Sequence, residues 1–114
     1  MLSKKNRLPT SAIRAFYDSG TKNRVGSVRG KYLNLKTYSR GLEFNRFGVV
    51  ISAKVEPTAV GRNLWRRRVM STLSTWPNYR LDCLLIAQGN LHGASILDMQ
   101  NDLVNLQLNL DRHF

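Results

Sequence analysis

The spacing of apolar residues predicts three helices, and the first two fall within residues 1–76. SAIRAFYDSG, at 11–20, has Thr10 or Ser11 as a candidate capping residue and ends at a glycine. EPTAVGRNLWRRRVMSTLSTW, at 56–76, places apolar side chains at i, i+4, i+8 and i+11, the spacing of a stripe that faces a core. That stripe consists of Trp65, Val69, Leu73 and Trp76.

The last apolar segment, ILDMQNDLVNLQLNL at 96–110, predicts a third helix with Asn90 or Ser95 as its cap. Its apolar residues form two stripes on different faces. One stripe is Ile96, Met99, Leu103, Leu106 and Leu110, and the other is Leu97, Val104 and Leu108. Two stripes favour either contact with more than one neighbour or a helix that is buried on most sides.

Strand spacing occurs in three or four segments. In KYLNLKTYS, at 31–39, polar residues and tyrosines alternate with leucines. RFGVVISAK, at 46–54, and RLDCLLIAQ, at 80–88, are more apolar, and 24–28 is a candidate for one more short strand. The order helix, two or three strands, helix, strand, helix predicts one α+β domain over residues 1–114. Its single sheet of three to four strands would be covered mainly on one side by helices.

The charge of the chain is strongly positive and unevenly distributed. The 114 residues include 18 Lys and Arg against 7 Asp and Glu, a net charge of +11. Residues 1–80 carry 17 of the basic and 3 of the acidic side chains, whereas 81–114 carry 1 and 4. Such a basic body favours a polyanionic partner, above all nucleic acid. An anionic membrane surface is the weaker alternative, because the basic residues are spread over many segments.

Other features of the sequence indicate the cellular compartment in which the protein is expected. No run of eighteen apolar residues occurs, and MLSKKNRLPT lacks the apolar stretch of a secretory signal, so no membrane partner is expected. Cys83 is the single cysteine and lies in the apolar run CLLIA, which predicts a core residue rather than a reactive thiol. We therefore expect a reducing, cytoplasmic setting.

Catalysis by the protein itself is not predicted. Metal-dependent hydrolysis needs clustered carboxylates or histidines. Asp98 and Asp102, at i and i+4 on the third helix, are the closest acidic pair, and a solvated helix face explains them better. His92 and His113 have no evident partner. We expect no metal or cofactor in the protein alone.

The segment GRNLWRRRV, at 61–69, concentrates positive charge on the second helix. A run of charge is usually a solvated face. Arginine also suits phosphate, since its planar fork donates bidentate hydrogen bonds. On a helical wheel, Arg67 and Arg68 point well away from the core stripe, Arg66 lies beside it, and Arg62 lies one turn before it.

The longer run RFGVVISAKVEPTAVGRNLWRRRV, at 46–69, resembles the signature of the bacterial ribonuclease P protein component. The positions that match are Arg46, Gly48, Ser52, Lys54, Ala59, Val60, Arg62, Asn63, Arg66 and Arg67. KKNRLPTSAIRAFYDSG and LDCLLIAQGN resemble the flanking family segments. Five positions depart: Ala53 and Leu64 replace basic residues, Met70 stands where the family is often basic, Arg68 replaces an apolar residue, and Ile13 replaces an aromatic residue.

This resemblance implies an accessory subunit of an endoribonuclease that removes the 5′ leader of precursor tRNA. The catalytic centre would belong to a large RNA with bound Mg²⁺. The partners implied are that RNA and precursor tRNA, and we expect a monomer without RNA. The RNA-binding residues implied are Arg46, Lys54, Arg62, Asn63, Arg66, Arg67 and Arg68.

The resemblance further implies a cleft between the first helix and the sheet that holds the single-stranded leader. Its candidate residues are Ile13, Phe16, Tyr17, Tyr32 and Tyr38. Aromatic rings can stack on unpaired bases, although ordinary packing is the alternative for each ring. The family fold, ribosomal-protein-S5-domain-2-like, implies a left-handed strand–helix–strand crossover, against the general right-handed rule.

Two other functions stay open from the sequence. A ribosomal or other structural-RNA-binding protein without a role in tRNA processing would have the same composition, and only the 46–67 motif argues against it. A DNA-binding protein is the weaker alternative, because no convincing helix-turn-helix pair is present.

Overall fold

One four-stranded sheet, with two helices packed on one face, makes up most of the part of the chain that the computed structural model describes. That part comprises residues 4–9, 11, 13, 24–39 and 43–113. The strands are β1 (Arg24–Arg29), β2 (Leu33–Tyr38), β3 (Arg46–Val50) and β4 (Asp82–Ala87). The helices are α1 (Ala59–Leu73) and α2 (Ile96–His113), and two short 3-10 helices span Lys4–Asn6 and Gly89–Gly93.

The strand order is β1-β2-β4-β3. β1 pairs with β2 and β2 with β4 in antiparallel fashion, whereas β3 and β4 are parallel and α1 forms their crossover. The α+β class, the single sheet and the short strand at 24–28 are confirmed. Of the predicted first helix only Ser11 and Ile13 are described, both helical, and its other residues lie outside the described part. The left-handed crossover remains a prediction.

The predicted stripe on the second helix is confirmed as part of the main core. Trp65, Val69, Leu73 and Trp76 are all buried, although α1 ends before the last of them. α1 begins after Thr58, whose side chain accepts a hydrogen bond from the backbone N–H of a residue in the first turn. Cys83 is fully buried in the same core, and burial raises the pKa of its thiol. The chain therefore keeps this cysteine as a protonated packing residue.

The two stripes on α2 differ in burial. Met99, Leu103, Leu106 and Leu110 are buried, but Ile96 at the head of their stripe is 45% exposed. Leu97, Val104 and Leu108 are 64%, 49% and 52% exposed. α2 does contact two neighbours, α1 and β2, but the second stripe is largely exposed, so burial of α2 on most sides is wrong for the described residues.

A smaller cluster forms on the face of the sheet opposite the helices. Leu8, Tyr38 and Leu84 are its buried members, and Ile13 packs against them. Gly48 makes this possible, since a Cβ there would lie 3.0 Å from Leu8 Cδ1 and 3.3 Å from Ile13 Cδ1. The N-terminal segment therefore lies on this second face of the sheet.

Asp102 connects α2 to the turn between β1 and β2. Its carboxylate accepts backbone N–H bonds from Lys31, Tyr32 and Leu33 at 2.8, 2.9 and 2.9 Å, and the residue is 4% exposed. The interpretation of Asp102 as part of a solvated face is therefore wrong, because the folded turn aims three donors at it. Asp98 is exposed and caps α2 reciprocally with Ser95, which confirms Ser95 as the cap.

Candidate nucleic-acid interface

The start of α1 is held in place by its own arginine and by the loop before it. Nη1 of Arg62 donates to the backbone carbonyls of Glu56 and Pro57, both at 3.0 Å. Gly61 lies directly over the Glu56 side chain, where a Cβ would come within 2.6 Å of the carboxylate. Arg62 therefore fixes the entry to the helix with one nitrogen, and its other N–H donors are not used by these two bonds.

The next arginines of α1 point in different directions. Arg66 donates from Nη1 to Oδ1 of Asn63 at 2.7 Å, and the guanidinium of Arg68 lies 5.0 Å from the centroid of the Trp65 ring. Arg67 is exposed, and no bond within the described part of the chain holds its side chain. The cationic groups are thus spread around the outer face of the helix, which lowers their mutual repulsion and leaves N–H donors facing solvent.

Little negative charge lies close to this helix in the sequence. Glu56 is the single acidic residue between positions 44 and 81. Its carboxylate accepts from or pairs with Nδ1 of His92 at 2.9 Å. Lys54 is exposed in the loop between β3 and α1, close in sequence to the start of the helix. The loop and α1 therefore present a surface that favours anions, with Asn63 as an exposed amide beside the arginines.

Arg46 is not brought together with the arginines of α1. Its Nε and Nη2 donate to Oδ1 and Oδ2 of Asp82 at 2.8 and 2.7 Å, and the carboxylate is completely buried. The hydrogen bond to Asp82 raises the pKa of Arg46. Arg46 starts β3, whereas Lys54 follows the end of that strand. The fork of Arg46 is therefore occupied inside the fold, which argues against its predicted contact with RNA.

The candidate leader residues do not form one platform. Tyr38 is 2% exposed and packs on the second face, near Ile13. Tyr32 precedes β2 and packs against the main core on the helix side, with Lys31 Nζ 5.3 Å from its ring centroid. Tyr32 and Tyr38 are thus on opposite sides of the sheet, because the strand alternation starts only at Leu33. Phe16 and Tyr17 lie outside the described residues.

Basic residues on the second face were missed as candidates. Lys36 alternates with the buried Leu33 and Leu35, so its Cα–Cβ bond points to the second face. Arg29 pairs with Asn34 and belongs to the same face. The alternation in LNLKTY was the signal that could have identified them. Together they add positive charge to the face on which the N-terminal segment lies.

The side chains of α1 and of the loop before it supply hydrogen-bond donors for anions. No group of three or more His, Cys, Asp or Glu within them is arranged to hold a metal ion. No helix in the described ranges is long and apolar enough to cross a membrane. α1 and the loop before it carry guanidinium, ammonium and amide donors, and such groups commonly bind phosphate.

Comparison with solved structures shows that this fold is similar to those of bacterial RNase P proteins. The solved RNase P protein of Staphylococcus aureus has a TM-score of 0.74 and 21% identity, covering 93% of this chain and 94% of that chain. The RNase P protein of Thermotoga maritima has a TM-score of 0.71 and 21% identity, covering 89% and 94%. At these identities the likeness establishes the fold. No curated protein sequence matches the chain.

The sequence match to a family model covers almost the whole chain. Residues 2–111 match the model described as Ribonuclease P. This span contains β1 to β4, α1 and nearly all of α2. The chain therefore belongs to the ribonuclease P protein family, as a protein subunit of that tRNA-processing enzyme.

Proposed function

We propose that this chain binds the catalytic RNA of ribonuclease P through α1 and the loop before it. Its second face would hold the 5′ leader of precursor tRNA. Bound in this way, the protein promotes removal of the leader without performing the cleavage itself. In the absence of RNA it is a monomer.

The observation that carries the proposal is the arrangement of charge on α1. Arg62, Arg66 and Arg68 each keep a defined place through a contact inside the protein, and Arg67 is exposed between them. Side chains that are already positioned lose less conformational freedom when they meet a phosphate. Each phosphate that they neutralise releases counterions, so the affinity for RNA should fall steeply with salt.

The second face supports the part of the proposal that concerns the leader. Lys36 and Arg29 give this face positive charge that can follow a single strand. Ile13 and Tyr38 contribute packing beneath it rather than a free ring. Stacking on a base is left to Phe16 and Tyr17, and the test for it is a loss of affinity in Tyr17→Ala that is seen with precursor tRNA but not with mature tRNA.

Cleavage is assigned to the RNA partner, which would bring its own Mg²⁺. The described residues of the protein supply no cluster of carboxylates and histidines for that role. Their contribution is to bind and orient phosphate groups, which lowers the cost of bringing two polyanions together.

The decisive experiment combines purified, RNA-free protein with precursor tRNA, with and without the ribonuclease P RNA of the same organism. We expect no mature 5′ end from the protein alone, and faster cleavage at low Mg²⁺ when protein is added to the RNA. Protein-only cleavage, or an RNA whose rate is unchanged by the protein, would contradict the proposal. Co-purification with ribosomes instead of this RNA would favour a structural-RNA-binding protein.

A further inference from the structure

A cavity of about 250 Å³ lies between the start of β3 and the end of α1. Its lining includes the aromatic residues Phe44, Phe47 and Trp76 and the polar residues Lys5, Ser74 and Asn78. It is smaller than most cavities that hold drug-sized ligands, so its size suits a small ligand. None of the arginines of α1 lines this cavity.

The inner wall of the cavity is aromatic and rigid. The rings of Phe47 and Trp76 meet edge to face with centroids 5.9 Å apart, and both residues are buried. Phe44 is only half-buried, and Lys5 Nζ lies 5.5 Å from the centroid of its ring. A planar ligand would find a partly open ring at Phe44 with a cation beside it.

The polar rim is held in position by bonds to the backbone. Asn78 donates from Nδ2 to the carbonyl of Glu43 at 2.8 Å, and its Oδ1 accepts from the backbone N–H of Arg80 at 3.0 Å. Ser74 donates from Oγ to the carbonyl of Ser71 at 2.6 Å. A second N–H on Asn78 and the lone pairs of the Ser74 hydroxyl remain for hydrogen bonds to a ligand. The rim is therefore preorganised, which reduces the entropy lost on binding.

The charge around the rim favours an anion. Lys5 is the charged residue among the described residues that line the cavity, and none of them is acidic. Arg80, an exposed residue bound through its backbone to Asn78, has φ 58°, a conformation that residues other than glycine rarely adopt. Such strain persists where surrounding bonds enforce it, often next to ligand sites.

The geometry points to this cavity as a binding site for a single nucleotide unit. The base lies against Phe44 and is hydrogen-bonded by Asn78 and Ser74, and the phosphate is near Lys5. This binding site does not depend on the proposed contact between α1 and the catalytic RNA. A free nucleoside monophosphate and an unpaired nucleotide of RNA share this chemistry, and the test distinguishes them.

The test is an NMR titration of the full-length, ¹⁵N-labelled protein with uridine and adenosine 5′-monophosphate. We expect saturable changes in the amide signals of residues 44–45 and 74–78. Phe44→Leu, which keeps the apolar volume but removes the ring, should weaken binding about tenfold, as expected for a lost stacking contact. Lys5→Gln should weaken it several-fold, whereas Lys4→Gln, a matched change one residue away, should not.

Three results would overturn the inference: no saturable change at the cavity, changes confined to α1, or equal effects of inorganic phosphate and the monophosphates. Phe44→Leu that binds like the original chain, with its melting temperature unchanged, would overturn it as well. A short single-stranded RNA is the second ligand. Binding more than tenfold tighter than the monophosphates, with the same loss in Phe44→Leu, would identify RNA as the source. Equal affinities would identify the free nucleotide.

Discussion

Arg46 and Arg67 come from the same basic segment of the sequence, but the fold gives them opposite environments. Arg46 closes a bidentate pair on the fully buried Asp82, whereas Arg67 stands exposed on α1 with no bond to the described residues. What separates them is the carboxylate, since β4 brings Asp82 beside Arg46 at the start of β3, whereas no described acidic residue pairs with Arg67. An arginine in a nucleic-acid-binding motif can therefore hold the protein together instead of contacting RNA.

The largest expected effect is on stability at Arg46. Arg46→Met removes the bidentate guanidinium from the buried carboxylate of Asp82, which should lower the free energy of unfolding by about 3–5 kcal/mol. Arg67→Met is the matched change on the exposed face and should alter it by less than about 0.5 kcal/mol. Urea denaturation of both variants measures the difference. Similar values for the two would mean that the Arg46–Asp82 pair does not stabilise the fold.

For RNA binding we expect the opposite order, with a larger effect from changing Arg67 than from changing Arg46. Arg67→Gln would remove the proposed phosphate contact, so the slope of log K against log salt for the catalytic RNA should become shallower by about 0.7–0.9. Arg46→Lys keeps the charge, loses the bidentate geometry, and should leave the slope unchanged. Filter-binding titrations at several salt concentrations measure both. If Arg46→Lys changes the slope and Arg67→Gln does not, the RNA contacts the Arg46 end of the sheet.

Leu64 is a second exposed position on α1 at which the effect of positive charge on RNA binding can be tested. It is 45% exposed on α1, three residues before Arg67, at a position where the resembled family signature is basic. Leu64→Arg should therefore steepen the salt slope by up to about 0.7–0.9 and tighten binding at low salt. Leu64→Gln, without the charge, is the control. A slope that stays constant in Leu64→Arg would show that RNA does not reach this turn of the helix.

Arg68 is half-buried, so its environment lies between those of the paired Arg46 and the exposed Arg67. The change in stability expected from replacing it is the smallest of the predicted effects. Its guanidinium lies over the ring of the buried Trp65, so Arg68→Leu should lower stability by about 0.5–1 kcal/mol through the lost cation–π contact. Arg68→Lys should recover part of that loss. Thermal unfolding followed by Trp fluorescence measures it. Increased stability in Arg68→Leu would mean that relief from repulsion by Arg67 outweighs the contact with the ring.

Sequence pattern was sufficient for features that depend on local spacing. The buried stripe from Trp65 to Trp76 and the buried position of Cys83 follow from periodicity, which requires only neighbours along the chain. Ser95 as a helix cap follows from a local hydrogen-bond pattern in the same way. The motif at 46–67 identified the family for the same reason, because its residues are close in sequence.

Features that depend on distant pairing were not visible in the pattern. Tyr32 and Tyr38 were placed together because they share a period, but the strand begins between them and separates them onto opposite faces. Asp102 looked like a surface residue because nothing in its own helix shows that three N–H groups, about seventy positions earlier, converge on it.

By itself the sequence determined the α+β class, the core stripe of α1, the family and a basic surface for a polyanion. Only the tertiary structure decided which arginines meet a carboxylate, which stripe of α2 stays exposed, and where an aromatic cavity forms. The physical reason is that helix and strand periodicity is set by bonds over a few residues. The partner of a charge or a ring is set by the sheet register, which joins residues such as Arg46 and Asp82 that are far apart in the chain.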